Sequence, residues 1–295
     1  MTKSMRIAVT GSTGLIGSAL VGHLRAEGHT VQRLVRRDAI APDEVRWNPA
    51  TGEVDIAALE GVDAVIHLAG AGVGDKRWTR KYKSEILNSR LLGTETIARA
   101  VAELKPSVFI SASAIGFYGE TGERAVDEKD RSGDDFLAAV CRQWEEASQL
   151  AGNVRTVNLR TGLVLDPTGG ALGKMLPLFK FGLGGKMGSG KQWWSWITLH
   201  DELRAISHLL TSKVSGPVNL TSPNPVTNRE FTASLAQALH RPALFPAPAI
   251  ALKIALGGFS TEILGSKKIL PTVLQEDGFT FEYPHLINAL TALVD

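Results

Sequence analysis

The sequence contains little that would build a disulfide-linked or metal-stabilised protein. It has one cysteine, Cys141, among 295 residues. That count excludes an intramolecular disulfide and a zinc site built from cysteines, and it is compatible with a reducing compartment. We interpret Cys141 as a small buried apolar residue. The 7 histidines include no pair spaced H-x-x-x-H or H-E-x-x-H, so the sequence predicts no metal site.

A strong excess of one charge, low-complexity segments and long apolar runs are missing too. The 32 basic and 30 acidic residues are interspersed, with a formal net charge of +2, which favours neither nucleic acid nor a membrane as partner. The run 243–259 is interrupted by Pro246 and Pro248 and contains Lys253. It therefore predicts a helix packed on the core or on a partner subunit, not a spanning helix. The balanced charge instead favours a small-molecule substrate. The N-terminal residues leave no room for a signal peptide before the first predicted strand, so we expect a cytoplasmic protein.

A glycine-rich turn is the most informative feature that is present. The apolar strand 6–10 leads through Gly11, Gly14 and Gly17 into a helical pattern that ends at Gly28. Gly11 permits a sharp turn, Gly14 lets backbone N–H groups approach a pyrophosphate, and Gly17 permits close packing of helix on strand. The sequence therefore predicts a dinucleotide site in which the helix N-terminus faces the phosphates. Its contacts would come from Gly11, Ser12, Thr13, Gly14, Leu15, Ile16 and Gly17.

Strands and helices alternate through the first half of the chain. We predict strands at 30–35, 45–47, 64–68, 108–113 and 154–159, and helices at 79–104 and 134–151. This order is typical of an α/β protein with a Rossmann-like, doubly wound parallel sheet. We assign residues 1–165 to the nucleotide-binding domain and 166–295 to a smaller, mostly helical substrate lobe, from which a strand near 217–220 returns to the main sheet.

The end of the second predicted strand distinguishes between the two nicotinamide cofactors. An acidic residue there would bind a ribose 2′-hydroxyl, whereas this chain has Arg36 and Arg37, whose planar guanidinium groups suit a 2′-phosphate. We therefore expect NADP(H) rather than NAD(H). Two observations oppose this choice: Asp38 follows directly, and paired surface arginines are often only a solvated strand end.

Three motifs of the first half are Thr10-Gly-x-x-Gly-x-x-Gly17, Asp63-Ala-Val-Ile-His-Leu-Ala-Gly70 and Ser111-Ala-Ser-Ala-Ile-Gly-Phe-Tyr-Gly119. Together they resemble an extended short-chain dehydrogenase/reductase of the nucleotide-sugar epimerase type. Further segments resemble its atypical SulA-like epimerase branch, which ends in a domain of unknown function. These are Arg77-Trp78, Ser89-Arg90, Trp144-Glu145, Leu159–Val164, Gly182–Gly190, Trp196–Asp201, Leu264-Gly265, Leu270-Pro271 and Gly278-Phe279.

That resemblance implies a set of cofactor contacts beyond the glycine turn. They are Arg36 and Arg37, Leu68, Ala69, Gly70 and Val164, with Glu85 and Arg90 of the long helix also within reach. For Arg90 the structural alternative is an ion pair with an acidic neighbour on the same helix. A homodimer through the helices that flank the sheet is a further expectation from the superfamily.

The catalytic pair of that superfamily, Tyr-x-x-x-Lys, is absent. The residues four beyond the three tyrosines are Ile86, Gly122 and Ile287, and alignment on Glu145 puts Leu137 and Cys141 at the two positions. Ser113 follows the fifth strand, at the position where the family has a serine that binds the substrate oxygen. Its structural alternative is a serine in the turn at the strand end. Tyr118 is the best remaining proton donor, or an aromatic wall of the site. Lys83 and Lys174 are candidate replacement cations.

Other segments have alternative interpretations. The stretch 185–192 has Walker-like spacing but ends in Gln192 and follows no strand, so we interpret it as a lobe loop. Trp193, Trp194 and Trp196 indicate a half-buried strand or a stacking surface. We expect His67 to be buried beside the cofactor. His200 and Asp201 either form an acid–base pair or have a structural role where a strand joins a helix.

Two hypotheses for the function remain. The first is an NADP(H)-dependent oxidoreductase or epimerase with unusual acid–base groups, in which the lobe selects the substrate. The second is an NADP(H) redox sensor or regulator without turnover. The missing dyad favours the sensor, and Ser113 together with the substrate lobe favours the enzyme.

Overall fold

The computed structural model describes residues 4–294. Within them the strands are β1 (Arg6–Thr10), β2 (Thr30–Val35), β3 (Glu44–Asn48), β4 (Glu53–Val54), β5 (Ala64–His67), β6 (Val108–Ala114), β7 (Ala125–Val126), β8 (Thr156–Thr161), β9 (Leu163–Asp166), β10 (Trp193–Trp194), β11 (Trp196–Thr198), β12 (Gly216–Leu220), β13 (Val226–Thr227) and β14 (Lys268–Ile269). The helices are α1 (Leu15–Ala26), α2 (Arg80–Leu104), α3 (Phe136–Ser148), α4 (Gly170–Lys180), α5 (Leu199–Thr211), α6 (Asn228–Ala238), α7 (Ala249–Leu256), α8 (Ser260–Leu264), α9 (Thr272–Glu276) and α10 (Leu286–Val294).

The central sheet has 8 strands in the order β12-β8-β6-β5-β1-β2-β3-β4. All neighbours run parallel except β3 and β4, which are antiparallel. From β1 the chain builds outward through β2 on one side and then continues with β5 on the other. The order of strands therefore reverses between β1 and β5, and the carboxyl ends of these two strands form the crevice where such folds bind ligands.

Helices cover both faces of the sheet because its inner strands are apolar on both sides. On one face Ile66 packs with Leu20 of α1 and Ile206 of α5. On the other face Phe109 packs with Ile97 of α2. A separate core, in which α4, α6 and α10 surround the buried Trp196, lies in the second half of the chain.

The predicted α/β class with a doubly wound sheet is confirmed. The strand expected near 217–220 is β12, which pairs with β8 in the main sheet. The same main core contains Ile197, Ile206 and Leu220, which all lie beyond residue 165. The second half of the chain therefore completes the first sheet as well as forming its own core.

Some predicted boundaries were wrong for physical reasons. The strand expected at 154–159 is β8, two residues later, because its polar end residues Arg160 and Thr161 are paired inside the protein. The helix expected at 134–151 spans only Phe136–Ser148 and continues as a 3-10 turn over Gln149–Ala151. The short strand β4 was not predicted, because two residues carry no periodicity.

The apolar run 243–259 forms α7, but this helix has no buried residue. Ile250 and Ile254 are largely exposed, so of the two expected positions for this helix, packing on the core was wrong, and packing on a partner subunit stays a prediction. Within residues 4–294, no helix combines the length and the hydropathy needed to cross a bilayer.

Candidate functional site

The turn after β1 needs glycine at two positions for the fold itself. Gly11 has a φ of +69°, and a Cβ atom there would lie 2.8 Å from the carbonyl carbon of Leu68. A Cβ atom on Gly17 would lie 2.1 Å from the carbonyl oxygen of Gly11. Gly14 differs, because its φ is −79° and a Cβ atom would meet only the Gly11 oxygen, at 3.4 Å. Gly14 therefore keeps open the space in front of α1, and the fold itself does not demand it.

The N-terminus of α1 is suited to an anion. The N-cap residue Gly14 provides no side-chain hydrogen bond, and the first turn has no acidic residue. The N–H groups of residues 15–17 in that turn point away from the helix without intrahelical partners. Their partial positive charge favours a phosphate. Of the neighbouring side chains, Ser12 is buried and Thr13 is exposed. The predicted turn therefore fits a pyrophosphate in shape and charge.

The end of β5 forms the wall opposite this turn. The Thr10 hydroxyl accepts hydrogen bonds from the N–H groups of Leu68, at 3.1 Å, and Ala69, at 3.3 Å. It lies 2.8 Å from Nδ1 of His67. Burial lowers the pKa of His67 to about 3, so the ring is neutral. Because the Thr10 oxygen already accepts from two N–H groups, its hydroxyl proton is directed at Nδ1 of His67. As predicted, His67 is buried at the end of this strand, where it fixes the backbone that faces Gly11.

Arg36 and Arg37 at the end of β2 differ in what they contact. Both guanidinium nitrogens of Arg37 donate to the Glu44 carboxylate, at 2.7 and 2.6 Å. These bonds lower the pKa of Glu44 to about 2. Arg36 is exposed, and no carboxylate among the described residues pairs with it. Asp38 lies 3.6 Å from Arg46 instead. Arg36 is thus the guanidinium left available to a ligand at this strand end.

Arg90 lies between the end of β5 and α3. Its Nη1 donates to the carbonyl oxygens of Ala71 and Ile86, at 2.9 and 3.0 Å. Its Cζ lies 4.8 Å from the centre of the Trp144 ring. Burial lowers its pKa. The ion pair considered for Arg90 is not present among residues 4–294, so this cation borders the crevice without a counter-charge.

The other positions implied by the resemblance have different surroundings. Gly70 lies against the Arg90 side chain, since a Cβ atom there would be 3.5 Å from Arg90 Cγ. Glu85 is exposed and lies 3.4 Å from Lys76. Val164 lies in β9, which pairs with β11, and it packs partly buried against the main core.

Ser113 is part of a buried polar cluster at the end of β6. Its hydroxyl donates to Oε1 of Glu145, at 2.7 Å. The same carboxylate accepts two hydrogen bonds from Arg160, both at 2.8 Å. The side chains of Arg160 and Glu145 are only 4% and 14% exposed, so the pair is held in low-dielectric surroundings where each charge requires the other. Because its proton is given to Glu145, the Ser113 oxygen can accept a hydrogen bond from a ligand.

Tyr118 lies on the far side of Arg160. Its hydroxyl donates to Oδ1 of Asn219, at 2.8 Å, and accepts from Nη1 of Arg160, at 2.9 Å. Burial raises the pKa of Tyr118 to about 12, although Arg160 opposes the shift. The Arg160 guanidinium also stacks 3.4 Å from the centre of the Phe117 ring. The Tyr118 hydroxyl is therefore bonded within the protein and positions Arg160.

Leu137 and Cys141 face this cluster from α3. A Cβ atom on Gly116 would lie 3.2 Å from Leu137 Cβ and 3.7 Å from the Cys141 sulfur. Burial raises the pKa of Cys141 to about 12, and the Glu145 charge adds to the shift. The expectation that Cys141 is a buried apolar residue is confirmed.

A cleft of about 310 Å³ opens above Leu137. Residues in and just before α2 and α3, Glu120, and residues of the stretch 258–267 line it: Trp78, Lys83, Glu120, Asp135, Phe136, Leu137, Gly258, Thr261, Glu262 and Lys267. Of the two lysines proposed as replacement cations, Lys83 lines this cleft and Lys174 is exposed on α4. Lys267, which the sequence did not single out, lies 3.1 Å from Glu262.

The structure distinguishes between the alternative interpretations of three segments. The stretch 185–192 is a loop that leads to β10 and pairs with 243–247. Trp193 and Trp194 form the half-buried β10, and Trp196 is fully buried. His200 bonds to Glu282, and Asp201 binds Arg204 and two backbone N–H groups of the C-terminal segment, so they form a joint and not a pair.

Arg160, Asn219 and the role of Glu145 were not predicted from the sequence. The available signal was a charged residue inside a buried strand, since Arg160 follows apolar Leu159 in β8. A charge is rarely buried without a partner. That signal indicates that some acid is paired with Arg160, but only the fold shows that it is Glu145, which also binds Ser113.

Fold and site together define a Rossmann-like class of α/β protein with a glycine turn at the point where the strand order of its sheet reverses. Comparison with known proteins gives the family. The sequence model of the NAD dependent epimerase/dehydratase family matches residues 7–221, and the domain of unknown function DUF1731 matches residues 247–293. The chain belongs to the NAD dependent epimerase/dehydratase family.

Individual relatives resemble the chain over nearly its full length. An epimerase family protein of Mycobacterium bovis is 45% identical over 288 residues, covering 96% of each chain. The chloroplastic SDR39U1 homolog of Arabidopsis thaliana is 38% identical, covering 98% of this chain and 87% of its own. The crystal structure of human epimerase family protein SDR39U1 with NADPH superposes with a TM-score of 0.91 at 32% identity, covering 98% and 99% of the two chains.

Proposed function

We propose that this protein binds NADP(H) and is an oxidoreductase or epimerase for a small-molecule substrate held by residues 166–295. The observation that carries the proposal is the difference between two adjacent arginines. Arg37 is bound to Glu44, whereas Arg36 has no carboxylate partner among the described residues and follows β2, the strand paired with β1. A 2′-phosphate needs such an available guanidinium. The NADPH in the structure of the human relative supports the same cofactor.

Three groups would hold the dinucleotide. The N-terminus of α1 would bind the pyrophosphate, and Arg36 would bind the 2′-phosphate. Leu68 and Ala69, at the end of β5, would flank the rings of the dinucleotide. Arg90, Glu85, Gly70 and Val164 are proposed as further contacts around the nicotinamide half. When bound, the nicotinamide accepts or supplies a hydride.

Ser113 and Glu145 are the groups we propose for proton transfer. Ser113 would accept a hydrogen bond from a substrate hydroxyl, and its own proton points at the Glu145 carboxylate. As the substrate hydroxyl loses its proton to Ser113, Ser113 passes its own proton to Glu145, whose side chain is 14% exposed and would release it to water. In reduction, Glu145 would first take up a proton from water and supply it through Ser113 to the substrate oxygen. Arg160 fixes the carboxylate, and Tyr118 fixes Arg160.

The cofactor assignment is tested by calorimetric titration with NADPH, NADP⁺, NADH and NAD⁺. Wild type should bind the phosphorylated forms more tightly. The Arg36→Ala variant should lose about 10-fold or more in NADPH affinity, since a charge-assisted hydrogen bond contributes about 1.5–3 kcal/mol. Its NADH affinity should not change.

The matched control is Arg37→Ala, which removes the same charge from the neighbouring position. It should preserve the preference for NADPH, because Arg37 is engaged with Glu44. Equal losses in the two variants, or unchanged binding in Arg36→Ala, would refute the assignment of the 2′-phosphate.

A second candidate function, an NADP(H) sensor without turnover, is favoured by the apolar pair Leu137 and Cys141 that faces Ser113 and Gly116. Nicotinamide absorbance during incubation with a panel of carbonyl compounds distinguishes the two functions. Oxidation of NADPH supports the enzyme, whereas tight binding without oxidation of NADPH by any member of the panel supports the sensor.

A further inference from the structure

A surface of the second-half lobe exposes large apolar side chains. We call it the apolar lobe surface and define it by six residues that are 52% to 81% exposed: Phe181, Leu183, Leu244, Phe245, Ile250 and Ile254. Single exposed apolar residues are ordinary, but a group of this size marks a contact with something else.

Backbone hydrogen bonds hold the segments of this surface in place. The segments 180–188 and 241–247 run beside each other and are joined by backbone hydrogen bonds. Phe245 donates to Gly184 and Ala247 donates to Lys186, at 3.1 and 2.9 Å. Pro248 then begins α7, in which Ile250 and Ile254 are one turn apart and so project from the same face. The side chains are thus exposed on a hydrogen-bonded framework.

The chain segments that form this surface carry charge of one sign only. No Asp or Glu occurs between Asp166 and Asp201 or between Glu230 and Glu262. Both segments and α7 lie within these intervals, and together they carry the exposed cations Lys180, Arg241 and Lys253. The Arg241 Nε donates to the main-chain carbonyl oxygen of Lys180, at 3.2 Å, so Arg241 lies against the end of α4 that carries Lys180 and precedes Phe181. The net charge of +2 conceals this local excess.

This charge distribution disfavours a second copy of the chain as the occupant. A symmetric pairing would place the same surface on both sides. Lys180 and Arg241 would then approach cations of the other copy, with no carboxylate from either segment between them. The complementary occupant is anionic.

The shape favours a lipid surface over a protein groove. The apolar side chains project outward, and the cleft above Leu137 is lined by other residues. Projecting apolar groups insert between acyl chains without a matching pocket, while flanking cations contact anionic headgroups. We propose that the apolar lobe surface binds peripherally to an anionic lipid bilayer, with its six apolar side chains at the headgroup boundary.

Sedimentation of the full chain with vesicles tests this proposal. Phosphatidylcholine vesicles containing phosphatidylglycerol should bind the protein, and pure phosphatidylcholine vesicles should bind at least 10-fold less. The double variants Phe181→Ser/Phe245→Ser and Ile250→Ser/Ile254→Ser should each lose most of the binding. Leu92→Ser/Leu150→Ser changes two exposed leucines elsewhere and should not affect binding.

Charge reversal separates the electrostatic part. The Lys180→Glu/Arg241→Glu variant should lose binding, whereas Lys213→Glu, at an exposed position after α5, should retain it. Thermal unfolding of each variant shows that the fold is intact. Equal binding to both vesicle types, or no vesicle binding, would overturn the proposal. In the absence of vesicle binding, a dimer by analytical ultracentrifugation that dissociates in the serine variants would identify a second copy as the occupant.

Discussion

Gly14 and Gly17 share a residue type, yet they lack a side chain for different reasons. Gly17 allows α1 to touch the backbone of Gly11, whereas Gly14 faces only open space and one oxygen at 3.4 Å. We therefore expect Gly14→Val to fold and to lose dinucleotide binding. Gly17→Ala should instead lower the free energy of unfolding by about 1–3 kcal/mol or more, because its Cβ atom overlaps backbone.

Chemical denaturation and NADPH titration of both variants measure these two effects separately. We expect Gly14→Val to unfold at the same denaturant concentration as wild type. We also expect it to give no heat of binding when it is titrated with NADPH. Undiminished NADPH binding by Gly14→Val would remove the turn from the proposed site, whatever happens to Gly17→Ala.

The sequence predicted residue roles where a local motif imposes them and failed where the partner is distant. The glycine spacing alone places Gly11 and Gly17, because strand, turn and helix are contiguous in the chain. Arg36 and Arg37 look alike in sequence, and only the pairing of β2 with β3 reveals which of them Glu44 engages. Arg160 and Glu145 likewise meet only because β8 and α3 pack together.

At the scale of elements, α3 presents Leu137, Cys141 and Glu145 to the end of β6. This helix begins at Asp135, whose carboxylate accepts a hydrogen bond from the N–H of Ala138, at 2.9 Å. The Asp135→Ala variant should lose about 1 kcal/mol of unfolding free energy, since an N-cap side chain contributes about 0.5–2 kcal/mol.

Asp135→Asn provides the control, because asparagine caps helices as well as aspartate does. Urea unfolding of the three proteins should place Asn close to wild type and Ala below both. If Ala and Asn were equally destabilised, the charge of Asp135 and not its capping bond would be responsible.

Elements were predictable where burial is uniform along them. Strands β1, β5 and β6 are buried on both faces and read as apolar runs, so their positions followed from the sequence. The end of β8 could not be predicted from the sequence, because Arg160 and Thr161 are polar and their burial depends on residues of α3 and α5. The exposure of α7 could not be predicted either, because its apolar composition is typical of a helix in a core.

For the whole molecule, the pH dependence of stability should reflect a buried carboxyl in the main core. Glu202 of α5 is 1% exposed. Its Oε1 accepts from Thr161, at 2.9 Å, and its Oε2 has no hydrogen-bond partner among the described residues. Burial raises the pKa of Glu202 from 4.5 to about 8. The folded protein thus keeps a proton that the unfolded chain releases above its ordinary pKa.

The sign of the effect follows from the proton count. Between about pH 4.5 and about pH 8 the folded state binds more protons at Glu202 than the unfolded state, so stability falls as pH rises. Glu202→Gln should remove this slope and stabilise the protein at pH 8 relative to wild type. The control Glu103→Gln, at an exposed position of α2, should follow wild type. Urea unfolding across this range measures both, and parallel slopes for all three proteins would contradict the assignment.

The position of β12 has a consequence for any attempt to transplant this nucleotide site into another protein. A cut at residue 165 would leave β8 as an open edge and remove Ile206 and Leu220 from the core beneath it. Open edges and uncovered apolar faces are templates for aggregation. The portable unit is therefore not the continuous first half. It includes β12, and because Leu274 and Phe279 belong to the same core it also includes residues after α8, so a junction between relatives at residue 165 or directly after β12 would divide that core.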